Sequence, residues 1–301
     1  MVTPDLPLTR PEADAAPDFS YAEAFSRNLG WVTEAEQLRL RTARVCIAGM
    51  GGVGGIYLLT LARLGVGAFS IADFDTYALA NFNRQAGATL SSLHRPKIDV
   101  MLAMARDINP DLDVRVFSDG LNAANLDAFL ADGDIYLDGL DFFALDIRRR
   151  VFALCAARGI PATTVAPLGM GAALLNFVPG GMSFETYFGF EGRSPGEQAL
   201  RFLVGLSPAM LQMSYLVDPS RVDLANRRGP STVIAVQLCS GIAAAQVLKL
   251  VLRRGPVVAA PRGLHFDAFR NRLRRTWRPG GNRHPMQRLL LAVAKRRLRV
   301  G

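Results

Sequence analysis

The sequence predicts an α/β fold with a doubly wound, mostly parallel sheet. Three observations predict it. Apolar runs of strand length alternate with segments of helical spacing, a glycine-rich turn (GMGGVG, 49–54) joins one such strand to one such helix, and 50% of the 301 residues are hydrophobic. Alternating strands and helices imply right-handed crossovers, with ligands bound at the carboxyl ends of the strands. We therefore expect a Rossmann-like domain.

The predicted elements follow one another regularly. Apolar runs predict strands, and apolar residues that recur three and four positions apart predict helices. The Asn109-Pro110 pair then ends the second of these helices. The predicted strands are 43–49, 67–73, 112–118, 134–138 and 161–166, and the predicted helices are 52–64, 96–109, 122–131 and 142–158.

Three regions are predicted along the chain: a flexible leader (1–20), one domain (21–255) and a basic C-terminal helical tail (256–301). Within the domain, residues 167–231 have less regular spacing and are expected to form an irregular insertion, which is more often functional than idle. The longest apolar stretch, Val233 to Leu252, contains Gln, Ser and Lys residues. We therefore expect it to be a buried core helix rather than a membrane span.

Positive charge is concentrated in the predicted tail. The whole chain carries a net charge of +9, but 256–301 holds 12 Lys and Arg residues against one acidic residue, whereas the remainder holds 23 basic and 25 acidic residues. One helical face of the tail is predicted to carry Met286, Leu289, Leu290 and Val293. The tail could dock on its own domain, or it could bind RNA, an anionic membrane surface or an acidic partner protein. The sequence leaves these alternatives open.

Cysteine usage indicates a reducing environment. The three cysteines (Cys46, Cys155 and Cys239) stand singly, so the sequence shows neither a disulfide framework nor a CxxC metal site. The N-terminal residues lack the basic-then-apolar pattern of a signal peptide. We therefore expect a cytoplasmic location.

The glycine turn indicates a nucleotide site. Gly49 would make the tight turn, Gly51 would let the backbone approach a phosphate or ribose, and Gly54 would let the helix pack on the strand. Asp73 ends the second predicted strand, where an acidic side chain can accept hydrogen bonds from ribose hydroxyls. Dehydrogenases, methyltransferases and adenylating enzymes all contain such a strand, glycine turn and helix, so these residues alone do not distinguish between the three classes.

Charged residues near the turn narrow the chemistry. Arg84 and Lys97 are two cations, which suit a triphosphate better than a dinucleotide whose phosphates are met by backbone N–H groups. At the end of the fourth strand, Asp138 and Asp141 could hold Mg²⁺ against phosphate oxygens. Asp141 could equally be the N-cap of a helix that begins near Phe142, and both roles can hold together.

Taken in order, GMGGVG (49–54), DFD (73–75), NFNRQ (81–85), Lys97 and DGLD (138–141) resemble the motifs of the ThiF/MoeB adenylating family, which is related to the ubiquitin-activating enzymes. The resemblance extends from about Ala22 to Arg253. It implies ATP and Mg²⁺ as cofactors and a homodimer. The implied residues are Gly49, Gly51, Gly52 and Gly54 for the ATP turn, Asp73 for the ribose, Asp75 and Asn83 for further nucleotide contacts, Asn81, Arg84 and Lys97 for the triphosphate, Asp141 for Mg²⁺, and Arg27 for the ATP of the neighbouring subunit.

Two departures from the family pattern are visible. Many members bind zinc through two CxxC pairs, which three isolated cysteines cannot supply, so we expect no zinc site. Members that form a thioester or persulfide carry a cysteine after the fifth strand, and residues 168–238 contain none. The NxNRQ form and Ile108-Asn109-Pro110 also resemble the tRNA threonylcarbamoyladenosine dehydratase branch.

Three functions remain open from the sequence. The first is adenylation of the C-terminal glycine of a small ubiquitin-like or sulfur-carrier protein, or of a peptide, without a thioester. Gly169 and Gly171 could leave room for such a tail, or could form an ordinary strand-end turn. The second is adenylation of a carboxylate on tRNA or on a small metabolite. The third is an ATP-binding scaffold without turnover, or an NAD-dependent oxidoreductase in which the two cations would have no role.

Overall fold

The computed structural model describes residues 18–298 except 224, 225 and 227, and a single eight-stranded sheet forms its centre. The strands are β1 (Arg44–Ala48), β2 (Ala68–Ala72), β3 (Asp113–Phe117), β4 (Ile135–Asp138), β5 (Ala162–Leu168), β6 (Gly171–Phe177), β7 (Arg262–Asp267) and β8 (Arg272–Trp277). Their order is β3-β2-β1-β4-β5-β6-β7-β8. The first five are parallel and the last three antiparallel. The predicted fold class and its five parallel strands are confirmed.

Helices cover both faces of this sheet. Within the described residues the helices are α1 (Tyr21–Ala24), α2 (Glu34–Thr42), α3 (Gly52–Arg63), α4 (Lys97–Ile108), α5 (Leu126–Phe129), α6 (Leu145–Arg158), α7 (Phe184–Phe188), α8 (Pro195–Leu206), α9 (Val233–Val251) and α10 (Pro285–Leu298). The predicted helix at 122–131 is reduced to the four residues of α5. Most of the predicted leader, 1–17, lies outside the described residues.

The core of one face is built around α3 and α9. Cys239, Ala243 and Val247 of α9 are fully buried against α3, β5 and β6. The Tyr57 hydroxyl of α3 donates to the Val165 carbonyl of β5 at 3.1 Å, which orients α3 on the sheet. Among the described helices, α9 is the one long and apolar enough to cross a membrane by length and composition. Its packing places it in the protein core, as expected from its polar residues.

Residues 167–231, predicted to be irregular, contain β6, α7 and α8. The turn after β5 reverses the chain, and β6 then pairs with β5 over its whole length. Every residue of β6 is buried, so its sequence shows no alternation of apolar and polar positions. Because its apolar residues do not alternate with polar ones, β6 is not predicted from the sequence.

The predicted tail is divided in the structure. Residues 262–277 form β7 and β8, which extend the main sheet, so this part is not helical. α10 is a helix that docks on α8, but with Leu290, Leu291 and Ala294 inward. Met286, Leu289 and Val293, predicted to share a face with Leu290, are 52%, 65% and 42% exposed. Docking instead buries the polar Gln287, whose Nε2 donates to the Val204 carbonyl at 3.2 Å. The spacing of apolar residues cannot predict that a glutamine faces inward.

His265 of β7 is buried, and burial lowers its pKa from 6.5 to about 4 although nearby Asp267 raises it. Its Nδ1 lies 3.4 Å from Ser207 Oγ, and its Nε2 has no partner among the described residues. The unfolded chain therefore takes up this proton first as the pH falls. Between about pH 6.5 and pH 4 the free energy of unfolding should fall by up to about 3 kcal/mol through this group.

Denaturant titrations of the native chain and of His265→Asn across this range check the prediction. The variant keeps a polar group near Ser207 but cannot take up the proton, so its free energy of unfolding should depend less on pH. Parallel pH profiles for the two proteins would contradict the assignment.

Candidate active site

The glycine turn lies where β1 passes into α3, at the edge formed by the carboxyl ends of the parallel strands. Gly49 has φ +89°, and a Cβ there would stand 2.2 Å from the Gly139 carbonyl oxygen. A Cβ on Gly54 would stand 1.8 Å from the Gly49 carbonyl oxygen. Both positions therefore require glycine for packing. At Gly51, by contrast, the nearest atom would be Gln85 Nε2 at 3.6 Å, which leaves the N-terminus of α3 open to a ligand.

Asp73 links the end of β2 to this turn. Its carboxylate accepts from the Met50 N–H at 2.5 Å and from the Asp75 N–H at 2.7 Å. Burial raises the pKa of Asp73, while these two N–H groups and Lys97 oppose the increase. The side chain thus stands at the end of β2, beside the glycine turn.

Lys97 begins α4, as predicted, and its side chain is largely buried. The Lys97 ammonium donates to Asp75 Oδ2 at 2.9 Å, and the Lys97 N–H donates to the Asp75 carbonyl at 2.9 Å. The Lys97 side chain is 8% exposed and the Asp75 side chain 54% exposed. Asp75 therefore holds the ammonium in one place next to Asp73, and a more strongly charged anion could displace this exposed carboxylate.

The NFNRQ segment packs beside the glycine turn. Arg84 donates through Nη1 to the Ala80 carbonyl at 2.8 Å and to Asn83 Oδ1 at 2.9 Å. A Cβ on Gly52 would lie 4.0 Å from Arg84 Cγ, so the guanidinium stem borders the start of α3. Asn81 accepts from the Ala78 N–H at 3.0 Å and thereby shapes the turn that presents Arg84.

Gln85 belongs to the same surface, although it is not among the predicted site residues. Its side chain is 8% exposed, and Oε1 has no hydrogen-bond partner among the described residues. A buried acceptor without a partner is costly. A ribose hydroxyl or an adenine amino group near Gly51 could satisfy it, so these residues fit a nucleotide. The available signal was its position directly after Arg84 and its spacing from the turn.

The acidic loop after β4 is built around a buried ion pair. Arg148 of α6 donates through Nε to Asp138 Oδ2 at 2.9 Å, and both side chains are 2% exposed. The Arg148 guanidinium also donates to the carbonyls of Leu140, Asp141 and Phe142. Asp138 is therefore committed to Arg148, and its predicted alternative role as a Mg²⁺ ligand does not fit this arrangement.

Asp141 is exposed on this loop, and its Oδ1 accepts from the Phe143 N–H at 2.9 Å. Because α6 begins at Leu145, Asp141 is not its N-cap, contrary to one of the two predicted roles. Within the described residues there is no cluster of three or more His, Cys, Asp or Glu side chains that could hold a metal. Mg²⁺ commonly needs one or two carboxylates, with phosphate and water completing the shell, so Asp141 fits that ion.

Two predicted site residues, Arg27 and Asn83, remain to be placed. Arg27 is exposed in a short 3₁₀ turn at Ser26–Asn28, and within the described residues its side chain makes no hydrogen bond or ion pair. Asn83 donates to the Ser231 carbonyl at 2.9 Å, which attaches the NFNRQ segment to the chain leading into α9. Since Asn83 Oδ1 also accepts from Arg84, Asn83 links this arginine to the segment before α9.

The glycines after β5 support the strand-end turn rather than room for an acceptor. A Cβ on Gly169, whose φ is +61°, would stand 2.4 Å from Tyr215 Oη. A Cβ on Gly171 would stand 2.5 Å from the Phe266 carbonyl oxygen. The Tyr215 hydroxyl accepts from the Met170 N–H and donates to Asp267, so the turn is covered by its own chain.

All three cysteines are buried. Burial raises the pKa of Cys46 to about 12 and raises those of Cys155 and Cys239 as well. The thiolate is the reactive form of cysteine, so these side chains are poor nucleophiles.

The arrangement of turn, cations and acidic loop can be compared with known proteins. The model of the ThiF family matches residues 25–289. The chain belongs to the ThiF family. This confirms the family resemblance inferred from the motifs.

Curated relatives of this ThiF chain include two kinds of enzyme. The chain is 33% identical over 143 residues to the sulfur carrier protein ThiS adenylyltransferase of Escherichia coli K12, which covers 48% of this chain and 56% of the relative. It is 31% identical over 132 residues to the tRNA threonylcarbamoyladenosine dehydratase of Haemophilus influenzae, which covers 44% of this chain and 50% of the relative. The chain spans about half the length of these relatives.

Solved structures share the fold at low sequence identity. PaaA matches with a TM-score of 0.63 and 17% identity, covering 90% of this chain and 78% of that chain. E. coli MccB with ATP matches with a TM-score of 0.62 and 18% identity, covering 84% and 70%. E. coli TcdA, a tRNA N6-threonylcarbamoyladenosine dehydratase, matches with a TM-score of 0.57 and 20% identity, covering 77% and 95%.

Proposed function

We propose that the chain transfers the adenylyl group of ATP to a carboxylate. The observation that carries the proposal is the convergence of three features at one edge of the sheet: the open N-terminus of α3, the Arg84–Gln85 pair beside it, and Lys97 held by Asp75. Membership of the ThiF family supports the same reaction class.

The proposed step needs little acid–base chemistry. A carboxylate oxygen attacks the α-phosphorus, the bond from that phosphorus to the pyrophosphate oxygen breaks, and an acyl-adenylate and pyrophosphate result. The attacking carboxylate is already ionised, so no general base is required. Negative charge grows on the phosphoryl oxygens and on the leaving group, where Arg84, Lys97 and the α3 N-terminus stabilise it. Mg²⁺, bound through Asp141, would neutralise further phosphate charge.

The proposed acceptor is the C-terminal carboxylate of a small carrier protein or peptide. Two named proteins support it: the relative that adenylates the sulfur carrier ThiS, and MccB, whose structures include complexes with MccA. The buried cysteines with raised pKa values support a reaction that ends at the acyl-adenylate, without a thioester. A carboxylate on tRNA is the second candidate, supported by the dehydratase relatives and the basic C-terminal region.

ATP–pyrophosphate exchange with separately supplied acceptors tests the proposal. Carrier proteins ending in Gly-Gly, acidic peptides with free carboxyl termini, tRNA and small acids are each assayed with ATP and Mg²⁺. Exchange with a carrier or peptide is the expected result. Exchange with tRNA alone would replace the carrier by the second candidate. ATP binding without exchange in any assay would instead indicate a scaffold.

We further propose that the chain works as a homodimer in which Arg27 reaches the ATP of the partner subunit. Its support is the exposure of Arg27 together with nearby apolar surface, since Leu29 and Trp31 are 40% and 85% exposed. Arg27→Ala and Asp141→Ala should each be inactive alone. Mixed and reassorted, they should regain up to about a quarter of the native sites, because half of the dimers are mixed and each has one intact site.

Exchange activity of the mixture, measured against each variant alone, checks this expectation. A mixture as inactive as its components, in dimers shown to have exchanged subunits, would contradict a role for Arg27 across the interface. Full activity of Arg27→Ala alone would remove this residue from the site.

A further inference from the structure

β8 closes one side of the sheet and leaves its outer edge uncovered. Just beyond it, the Arg278 N–H donates to the Pro261 carbonyl at 2.9 Å, continuing the ladder with β7. Hydrogen-bonded and non-bonded positions alternate in an antiparallel ladder. The backbone N–H and C=O groups of Leu273, Arg275 and Trp277 therefore point away from β7. The Trp277 carbonyl accepts from Arg278 Nη1 at 2.9 Å, so the groups open to a partner are those of Leu273 and Arg275 and the Trp277 N–H. We call this outward row of backbone groups, with the side chains of Arg272–Trp277, the β8 edge.

The side chains of the β8 edge are basic and apolar. Leu273 and Trp277 are 57% and 58% exposed, and they share one face of the strand with Arg275. Arg272 and Arg274 are exposed on the other face. The six residues include no acid, and within the described part of the chain none of these three arginines has an ion pair. Charged side chains protect many sheet edges from pairing with other chains. Exposed Leu and Trp side chains on the same edge favour association unless another segment covers them.

We propose that the β8 edge binds an acidic, extended peptide segment as a ninth strand of the sheet. The peptide backbone would pair with the outward groups of Leu273 and Arg275 and with the Trp277 N–H. Acidic side chains would lie opposite the arginines, and apolar ones beside Leu273 and Trp277. A second copy of β8 is a poor occupant, because antiparallel self-pairing places arginines opposite arginines. RNA would pair with the arginines but would leave the backbone row unused.

The direction of this ninth strand connects it with the proposed reaction, on which this inference rests. β7 is parallel to β5, since each is antiparallel to β6. A peptide antiparallel to β8 therefore runs in the direction of β5, and its C-terminus points to the edge that carries the glycine turn. Five strand spacings separate the ninth strand from β4, a distance of about 24 Å. The acceptor would need about seven or more residues between the acidic strand and its carboxylate.

A synthetic peptide provides the binding test. The probe is a fluorescein-labelled peptide in which about eight residues alternate Glu and Val, followed by a flexible tail of about ten residues with a free carboxyl terminus. Anisotropy without ATP measures binding. Arg275→Ala should weaken binding about three- to fivefold through lost charge. Arg275→Pro, which also removes an outward N–H, should weaken it at least about tenfold more.

Matched controls separate strand addition from attraction between charges. A peptide N-methylated at alternate residues of its acidic strand should not bind the native chain, even though its charge is unchanged. This control needs no protein variant, so the test holds even if Arg275→Pro does not fold; retained ATP binding and melting temperature show whether it does. Equal binding of the N-methylated peptide would overturn the proposal. So would a preference for oligouridine with equal affinity in Arg275→Ala and Arg275→Pro.

Exchange assays then distinguish this inference from the proposed function. If the peptide binds at the β8 edge but gives no pyrophosphate exchange, the peptide is not the acceptor, while the β8 edge is still a peptide-binding surface. Exchange that is unchanged in Arg275→Pro, or that persists when the tail is shortened to about three residues, would overturn the docking surface and leave adenylation standing. Loss of dimers in Arg275→Pro would show that a second copy occupies the edge.

Discussion

Lys97→Met should reduce the rate of ATP–pyrophosphate exchange by a factor of about 10² to 10³, the size of effect seen when an enzyme loses one preorganised donor that stabilises transition-state charge. Lys97 begins α4 and is held by Asp75 at 2.9 Å, so its ammonium is positioned before ATP arrives. Arg84→Ala should act in the same direction, since Arg84 borders the start of α3. Steady-state exchange at saturating ATP measures the effect.

The same variant should leave the fold nearly unchanged. Methionine keeps the volume of the buried stem of Lys97, and its partner Asp75 is 54% exposed, so its carboxylate returns to water. The free energy of unfolding should change by no more than about 1 kcal/mol. Lys295→Met, which removes an ammonium paired with Glu197 on α8, is the matched control and should retain exchange. Native-like exchange in Lys97→Met would refute the assignment of Lys97 to the triphosphate.

Arg148→Met should lower the free energy of unfolding by about 3–5 kcal/mol, since it leaves the Asp138 carboxylate buried without its partner. Asp138 and Arg148 are each 2% exposed, and the Arg148 guanidinium lies over the Phe202 ring at 4.7 Å, so the pair is shielded from water. Three carbonyls of the acidic loop lose their donor at the same time. Equilibrium denaturation in urea gives the change in free energy.

The neighbouring residue offers a matched control. Arg149 pairs with Glu185 at 2.7 Å, but these side chains are 31% and 39% exposed. Arg149→Met should therefore change the free energy of unfolding by about 1 kcal/mol or less. If both substitutions had equally small effects, the buried pair would not be what holds the acidic loop.

Arg148 also shows where sequence reasoning fails. It stands first in a run of three arginines, 148–150, and residue type alone does not separate this buried side chain from its more exposed neighbours. Its burial follows from its contacts with Asp138 of β4 and the Phe202 ring of α8. Gln85 was missed for the same reason, because an amide becomes a site residue only when the backbone brings it to the glycine turn.

The sequence by itself determined the parallel half of the sheet, the position of the glycine turn and the family. These features depend on local apolar runs and on motifs whose spacing is set along the chain. Only the tertiary structure decided that residues 262–277 complete the sheet, that Asp138 is committed to Arg148, and that β8 presents an open basic edge. Each of these depends on which distant segments become neighbours, and long-range pairing leaves no periodic signal in a segment that is buried or exposed on both faces.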